Sequence, residues 1–229
     1  MPRLIALGPE IWCATHNFKI GLMPVSTRMT VVRLDEKHLW LHSPIPLDKD
    51  LLTELAALGE VRAVVAPSKA HHLFLTPCAA AFPHATLYGA PGLAKKCPKL
   101  PPMRELTGSA FSDWQSQLDE IFIEGIPFAN ETVWFHHASA TLIVTDLVQL
   151  WDGELAWSAK LYAHLTGVRT SLNIPYTVRA LVRDRKAIQR CAARILEWPI
   201  QRIVMAHNAV IEVDAHARMR HALAPLINS

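Results

Sequence analysis

The segment VRAVVAPSKAHH, residues 61–72, joins a buried strand to a pair of possible metal ligands. Its first half is rich in β-branched residues and ends at Pro67, which is typical of a short strand in the interior of a sheet. A short loop then leads to His71 and His72. Imidazole nitrogens bind zinc and iron well, so this strand end is the first candidate for a functional site.

Two further apolar strands also end in a candidate ligand. ATLIVT (140–145) precedes Asp146, and QRIVMA (201–206) precedes His207. In layered α/β proteins, binding sites gather in the loops beyond the carboxyl ends of strands. We therefore expect a site with three nitrogen ligands and one oxygen ligand, suited to a divalent metal, zinc in preference to iron. Its four expected ligands are His71, His72, Asp146 and His207.

Each of these residues also has an ordinary structural interpretation. An adjacent His-His pair usually belongs to a solvated loop, Asp146 could cap a turn, and His207 could be a hydrogen-bonded core histidine. Their joint placement after apolar strands is what favours the metal site.

The pattern around these strands predicts a layered α/β protein. Strands are expected at residues 30–34, 39–42, 61–67, 85–89, 121–126, 131–137, 140–148 and 200–207. Helices are expected at residues 50–58, 73–82, 91–97, 152–166 and 184–198 and after Asp214. Because no long linker interrupts this pattern, we expect one domain over residues 1–229.

A second histidine pair, His136 and His137, lies beside the expected hairpin turn at Ala138-Ser139. In that register the pair is roughly 20 Å from Asp146, so we expect it to be exposed and outside the metal site. His42 ends the 39–42 strand and could line a pocket. Trp151 and Trp157 could serve an interface, but core packing is the favoured interpretation.

The composition excludes several classes of protein. The chain has 229 residues, 51% of them hydrophobic, and a net charge of +3, which is too weak to indicate nucleic-acid binding. No apolar run reaches the roughly 18 residues that span a bilayer, and the first residues lack a signal-peptide pattern. The four cysteines are scattered, which favours reduced thiols and a cytoplasmic protein. GxSxG, P-loop and GxGxxG motifs are absent. A small-molecule substrate is expected, but the loops that would face it carry no motif that identifies it.

The sequence resembles the metallo-β-lactamase fold superfamily, most closely its DUF4336-like branch. The segments that carry this resemblance are TVVRL…LWLHSPIPL, VRAVVAPSKAHH, IFIEGIP…WFHHASATLIVTDLV and IVMAHN. The resemblance implies a four-layer αββα sandwich, in which two mixed β-sheets are flanked by helices.

The family motif HxHxDH is degenerate in this chain. Pro67 and Lys69 stand at its first two histidines, His71 stands at its aspartate, and His72 matches its last histidine. The family's next ligand, in a GHT-like turn, is replaced by Gly125-Ile126-Pro127. The bridging aspartate matches Asp146 and the final histidine matches His207. The resemblance therefore implies that the first of two metal sites is lost and the second is retained.

Three functions remain open on this basis. The first is a single-metal hydrolase, in which Asp146 and Lys69 act in catalysis and Lys69 orients an anionic substrate, although a solvated loop lysine is the favoured alternative for Lys69. The second is a non-catalytic metal-binding or ligand-binding protein, favoured if four ligands close the site. The third is a mononuclear iron oxygenase, ranked last because three histidines and one aspartate do not match a 2-His-1-carboxylate triad.

Overall fold

Two β-sheets pack face to face in this protein, and helices cover the outer side of each sheet. The structure is a computed structural model that describes residues 3–106 and 114–227. None of the helices in these two ranges is long and apolar enough to cross a membrane.

The first sheet contains seven strands in the order in which they occur in the chain. They are β1 (Ile5–Gly8), β2 (Ile11–Ile20), β3 (Met23–Arg33), β4 (His38–His42), β5 (Glu60–Ala66), β6 (Thr86–Gly89) and β7 (Arg104–Glu105). Strands β1 to β4 are antiparallel neighbours, whereas β4 to β7 run parallel. The carboxyl ends of β4 and β5 therefore meet at one edge.

The second sheet has the strand order β12-β11-β10-β9-β8. Its strands are β8 (Leu118–Phe122), β9 (Thr132–His136), β10 (Thr141–Val144), β11 (Arg202–Met205) and β12 (Val210–Ile211). Only β10 and β11 are parallel neighbours, and their carboxyl ends lie together.

Seven helices connect or cover these strands in the described residues. They are α1 (Lys49–Leu58), α2 (Leu75–Ala81), α3 (Leu93–Lys96), α4 (Trp157–Leu165), α5 (Tyr176–Ala180), α6 (Arg185–Glu197) and α7 (Ala215–Ile227). Two of them start with a capping aspartate whose side chain accepts a backbone N–H bond. Asp48 caps α1 through Leu51, and Asp184 caps α6 through Ala187.

Three apolar layers hold the sandwich together. One packs α1 to α3 against the first sheet, and another packs α6 and α7 against the second. Between the sheets, Trp40 of β4 meets Trp134 of β9 with ring centroids 5.3 Å apart. Because side chains alternate along a strand, Leu39 and Leu41 face the helices while Trp40 faces the other sheet. The αββα arrangement expected from the resemblance is confirmed.

The sequence patterns missed β1, β2 and the first part of β3, of which only the end was expected as a strand at residues 30–34. The second half of β2 is largely exposed, so it shows little of the alternation by which a half-buried strand is recognised. The short elements β7, β12 and α5 were missed as well. Helix α4 begins at Trp157 and not at residue 152, since Gly153 adopts a left-handed φ of 68°.

Three burial predictions have mixed outcomes. Trp151 is buried as expected, but Trp157 is 73% exposed, so the core-packing prediction was wrong for it. The expected exposure of the hairpin pair is wrong for His136, which is fully buried in β9, and right for His137. The expected hairpin register is confirmed, with His136 opposite Thr141.

Candidate metal site

His71 stands just beyond the carboxyl end of β5 in a loop that one serine shapes. Ser68 Oγ accepts hydrogen bonds from the backbone N–H groups of Ala70 and His71, each 3.3 Å long. The Nδ1 atom of His71 lies 2.9 Å from the Oγ of Ser43, the residue that follows the neighbouring strand β4. The two strand ends thereby fix the ring so that its Nε2 atom points toward the second sheet.

Asp146 and His207 follow the parallel strands β10 and β11 of that second sheet. Asp146 Oδ2 lies 3.1 Å from His71 Nε2, and Asp146 Oδ1 lies 3.5 Å from His207 Nε2. His207 Nδ1 is 2.9 Å from the carbonyl oxygen of Ser26 in β3, where it donates a hydrogen bond. The site is thus assembled from strand ends of both sheets.

The donor set fits a divalent metal. One ligand atom each from His71, Asp146 and His207 lie within 4.8 Å of one another. The Nδ1 atoms of both histidines are already engaged outside the cluster, an arrangement that orients Nε2 in known metal sites. Two imidazoles and one carboxylate suit zinc or iron and leave coordination positions open.

A glutamine holds the carboxylate of Asp146 in place. Gln149 Nε2 donates to Asp146 Oδ1 over 2.9 Å. The amide oxygen of Gln149 accepts hydrogen bonds from Trp151 Nε1 at 2.9 Å and from the Tyr162 hydroxyl at 3.2 Å. Because both ends of the amide are bonded, the side chain has one orientation and so does the carboxylate it contacts.

Glu131 supports the same carboxylate from beneath. Its buried carboxyl accepts hydrogen bonds from the backbone N–H groups of Thr145 at 2.7 Å and Asp146 at 3.1 Å. Burial, and then the nearby charge of Asp146, raise the pKa of Glu131 to about 7. Glu131 therefore anchors the end of β10, from which Asp146 projects.

The charges of His71, Asp146 and His207 shift one another's pKa values. Burial alone would raise the pKa of Asp146, but the facing rings of His71 and His207 hold it well below its usual range. Burial likewise opposes a charge on His71, yet attraction to Asp146 outweighs it and raises the pKa of His71. Burial lowers the pKa of His207. The raised pKa of His71 favours its protonated form, which would pair with Asp146 and would have to lose its proton for Nε2 to bind a metal.

The fourth expected ligand, His72, lies outside this cluster. Its Nε2 atom is 3.6 Å from the Sγ atom of Cys97, at the end of α3. Burial, and then the nearby charge of Lys96, lower the pKa of His72. The structure therefore brings together three of the four residues that the sequence suggested.

Lys69, for which a solvated loop position was favoured over a role in orienting an anionic substrate, has its ammonium group bonded to the backbone. Lys69 Nζ donates to the carbonyl oxygen of Pro127 over 2.9 Å. Pro67 and Ile126, at the other two positions where the family motif has a histidine, also make contacts that support the fold. The carbonyl of Pro67 accepts the N–H of Thr132, and Ile126 is buried in the core beneath the second sheet.

His42 is an interior residue and does not line the cleft at the site. Its ring stacks on Trp40 at 5.4 Å and meets the edge of Trp134 at 5.1 Å. Burial, and then the proximity of His71, lower its pKa well below the usual value. His42 is thus a neutral member of the layer between the sheets.

Sequence reasoning missed three residues that support the cluster. Ser43 follows β4 as His71 follows β5, so the rule about carboxyl ends of strands could have found it. Gln149 and Glu131 carry no comparable signal. A glutamine after a strand and a glutamate before one are common at the protein surface, and their burial depends on the facing sheet.

Part of the chain matches a known protein family. Residues 9–101 match the family described as a domain of unknown function, DUF4336. A search of curated proteins found no match to the sequence.

Solved structures resemble the chain over almost its whole length. A metallo-β-lactamase from Pontibacter korlensis shares 18% identity, with 99% of each chain covered and a TM-score of 0.66. The DIM-1 metallo-β-lactamase shares 16% identity, with 97% of this chain and 96% of the other covered and a TM-score of 0.67. The Flv1 flavodiiron core from Synechocystis sp. PCC6803 shares 10% identity, with 97% of this chain and 60% of the other covered and a TM-score of 0.65. The chain therefore has the metallo-β-lactamase fold, and most of its first sheet lies within the DUF4336 match.

Proposed function

We propose that the protein is a hydrolase that uses one divalent metal held by His71, Asp146 and His207. The observation that carries this proposal is the convergence of three ligand atoms within 4.8 Å, with both histidine Nδ1 atoms engaged elsewhere. Zinc is the favoured metal, because two histidines and one carboxylate form a common hydrolytic zinc site. Such an ion supplies a bound water whose pKa is near neutrality and a Lewis acid that polarises a carbonyl oxygen.

The remaining side chains prepare this site for substrate. Gln149 and Glu131 fix the carboxylate of Asp146, and Ser43 fixes the ring of His71. The placement of His72 beside Cys97 leaves three protein ligands, which supports an open site more than a closed structural one. An anion-binding role for Lys69 is not part of this proposal, since its ammonium group is bonded to Pro127.

A mononuclear iron enzyme is the second candidate, and one observation favours it. With His72 outside the cluster, the donor set becomes two histidines and one carboxylate, the set used by many non-haem iron oxygenases. The identity of the metal separates the two candidates. Iron retained after anaerobic purification would favour the oxygenase, and zinc would favour the hydrolase.

Elemental analysis of the purified chain tests the proposal. We expect about one zinc per chain, lost in Asp146→Asn and His207→Ala and kept in the control His84→Ala, which changes an exposed histidine. Folding of each variant is checked by circular dichroism. Equal metal content in all four proteins, or no metal uptake by the wild type, would rule out this site.

A further inference from the structure

The cleft at the candidate metal site has one polar end and a long apolar wall. Its volume is about 260 Å³. His71, Asp146 and His207 form the polar end. The wall comes from the β2–β3 hairpin, the loop after His72 and the segment around α4. Its principal side chains are Phe18, Met23, Val25, Leu73, Phe74 and Trp151.

This wall is packed and continuous with the polar end. Phe18 and Phe74 meet edge to face with ring centroids 5.9 Å apart. Val25 and Trp151 are buried in one apolar cluster with Phe18 packed against it. The ring of Trp151 lies 6.1 Å from that of His207. An apolar group on the wall is therefore next to the atoms that would hold the metal.

The described residues that line the cleft include no arginine or lysine, and the basic side chains among them are His71, His72 and His207. The nearby cations are engaged elsewhere. Lys69 donates to Pro127, Lys96 donates to the Lys69 carbonyl, and the Arg28 guanidinium donates to the carbonyls of Met205, Asn208 and Ala209. Phosphate and other multiply charged groups are usually held by arginine or lysine, which this cleft does not offer.

From this geometry we infer that the substrate is an uncharged carboxylic ester with a hydrocarbon or aryl acyl group. The ester carbonyl lies at the His71–Asp146–His207 end, and the acyl group lies along Phe18, Val25 and Trp151. Hydrolysis adds water to the acyl carbon, breaks the bond to the alkoxy oxygen and transfers a proton to that oxygen. The products are a carboxylic acid and an alcohol. The reaction rests on the proposed function, whereas recognition by the wall does not.

Binding to the metal-free chain tests recognition separately from catalysis. Methyl ketones with four to ten carbons carry an uncharged carbonyl and are not hydrolysed, so isothermal titration can follow their binding. Transfer of a methylene from water to an apolar wall predicts up to about fourfold tighter binding per added carbon until the cleft is filled.

Variants at two residues with similar exposed fractions provide the control. Leu73 is 60% exposed and lines the cleft, whereas Ile5 is 57% exposed in β1 and does not. Because both side chains already contact water, an aspartate at either position is compatible with folding. We expect Leu73→Asp to weaken binding of the long ketones about tenfold or more and Ile5→Asp to leave it unchanged.

The metal-loaded chain is then tested with p-nitrophenyl esters from acetate to octanoate and with a bis-aryl phosphate. We expect kcat/KM to rise with acyl length and the phosphate to be inert. Chain-length-independent ketone binding, an equal effect of the two variants, or preferred cleavage of the phosphate would overturn the inference. Length-dependent ketone binding by a chain that takes up no metal would support wall recognition while refuting the proposed hydrolase.

Discussion

Two His-His pairs in this chain share one arrangement and have different surroundings. His71 and His136 are each largely buried, and in each the Nδ1 atom contacts a serine Oγ, Ser43 at 2.9 Å and Ser139 at 2.7 Å. They differ at Nε2. In His71 this atom faces Asp146 at 3.1 Å, whereas in His136 it has no hydrogen-bond partner.

The facing group decides in which direction the pKa of each ring is shifted. Burial disfavours the imidazolium form of both histidines, but the carboxylate of Asp146 reverses this effect and raises the pKa of His71. With no carboxylate at its Nε2, His136 keeps the effect of burial, to which His137 adds repulsion, and its pKa falls to about 4. A buried histidine thus becomes a candidate ligand through the partner that its ring faces.

The second member of each pair turns away from the first. His72 Nε2 lies beside Cys97 Sγ, and His137 Nε2 lies 3.3 Å from Asp119 Oδ1 at the surface. His137 directly follows strand β9, along which successive side chains point to opposite sides, whereas His71 and His72 lie in a turn that directs their rings apart. Adjacency in sequence therefore does not make two histidines share a site.

The largest expected effect separates His71 from His72. We expect His71→Ala to weaken zinc binding by about 1,000-fold, because one of three ligands contributes on the order of a third of a binding free energy of roughly 12 kcal/mol. His72→Ala should change the affinity by less than about threefold, since its ring lies outside the cluster. Competition with a chromogenic chelator measures both affinities. Equal losses in the two variants would mean that His72 joins the cluster when metal is bound.

Much of this contrast was beyond the reach of the sequence. The apolar runs before Pro67, Asp146 and His207 identified three strand ends, since buried strands have a strong compositional signal. Which of two adjacent histidines faces another sheet depends on the loop set by Ser68, which no periodicity reports.

The same limit explains the error at the second pair. The register of the β9–β10 hairpin was predictable from its turn, and it placed His136 opposite Thr141 as expected. Burial of His136 was not predictable, because it depends on how the second sheet packs against the rest of the molecule. The supporting roles of Glu131 and Gln149 were unpredictable for the same reason. The hydrogen-bond partners of Glu131 are remote in the sequence, and the contact of Gln149 with Asp146 depends on the loop between them.

The second-largest expected effect is on the pH dependence of the free energy of unfolding, to which His136 contributes. Its pKa is about 4 in the folded chain against 6.5 for the ordinary side chain, so the unfolded chain takes up this proton first as the pH falls. The neutral ring of His136 thereby contributes up to about 3 kcal/mol to the free energy of unfolding. This contribution is complete above about pH 6.5 and is lost as the pH falls toward 4. His136→Gln removes this titration. Urea denaturation at pH 7 and at pH 4.2 should therefore show a smaller acid-induced loss in the variant.

His137→Gln is the matched control for this measurement. The His137 side chain is 42% exposed and contacts the 49% exposed Asp119, so water screens the interaction. We expect its acid-induced loss of stability to equal that of the wild type within about 0.5 kcal/mol. If His136→Gln lost as much stability at acid pH as the wild type does, the buried ring of His136 would not be the cause of that loss.

The smallest effect distinguishes the two serines. Ser43→Ala removes the contact that orients the His71 ring, and loss of such a supporting hydrogen bond typically weakens metal binding by about tenfold. Ser139→Ala removes the corresponding contact of His136, whose ring faces no ligand, so zinc affinity should stay within about twofold of the wild type. Chelator competition on both variants measures the difference. A tenfold loss in Ser139→Ala would show that zinc affinity follows the general integrity of the fold, whereas a loss confined to Ser43→Ala would show that it follows the orientation of one ring.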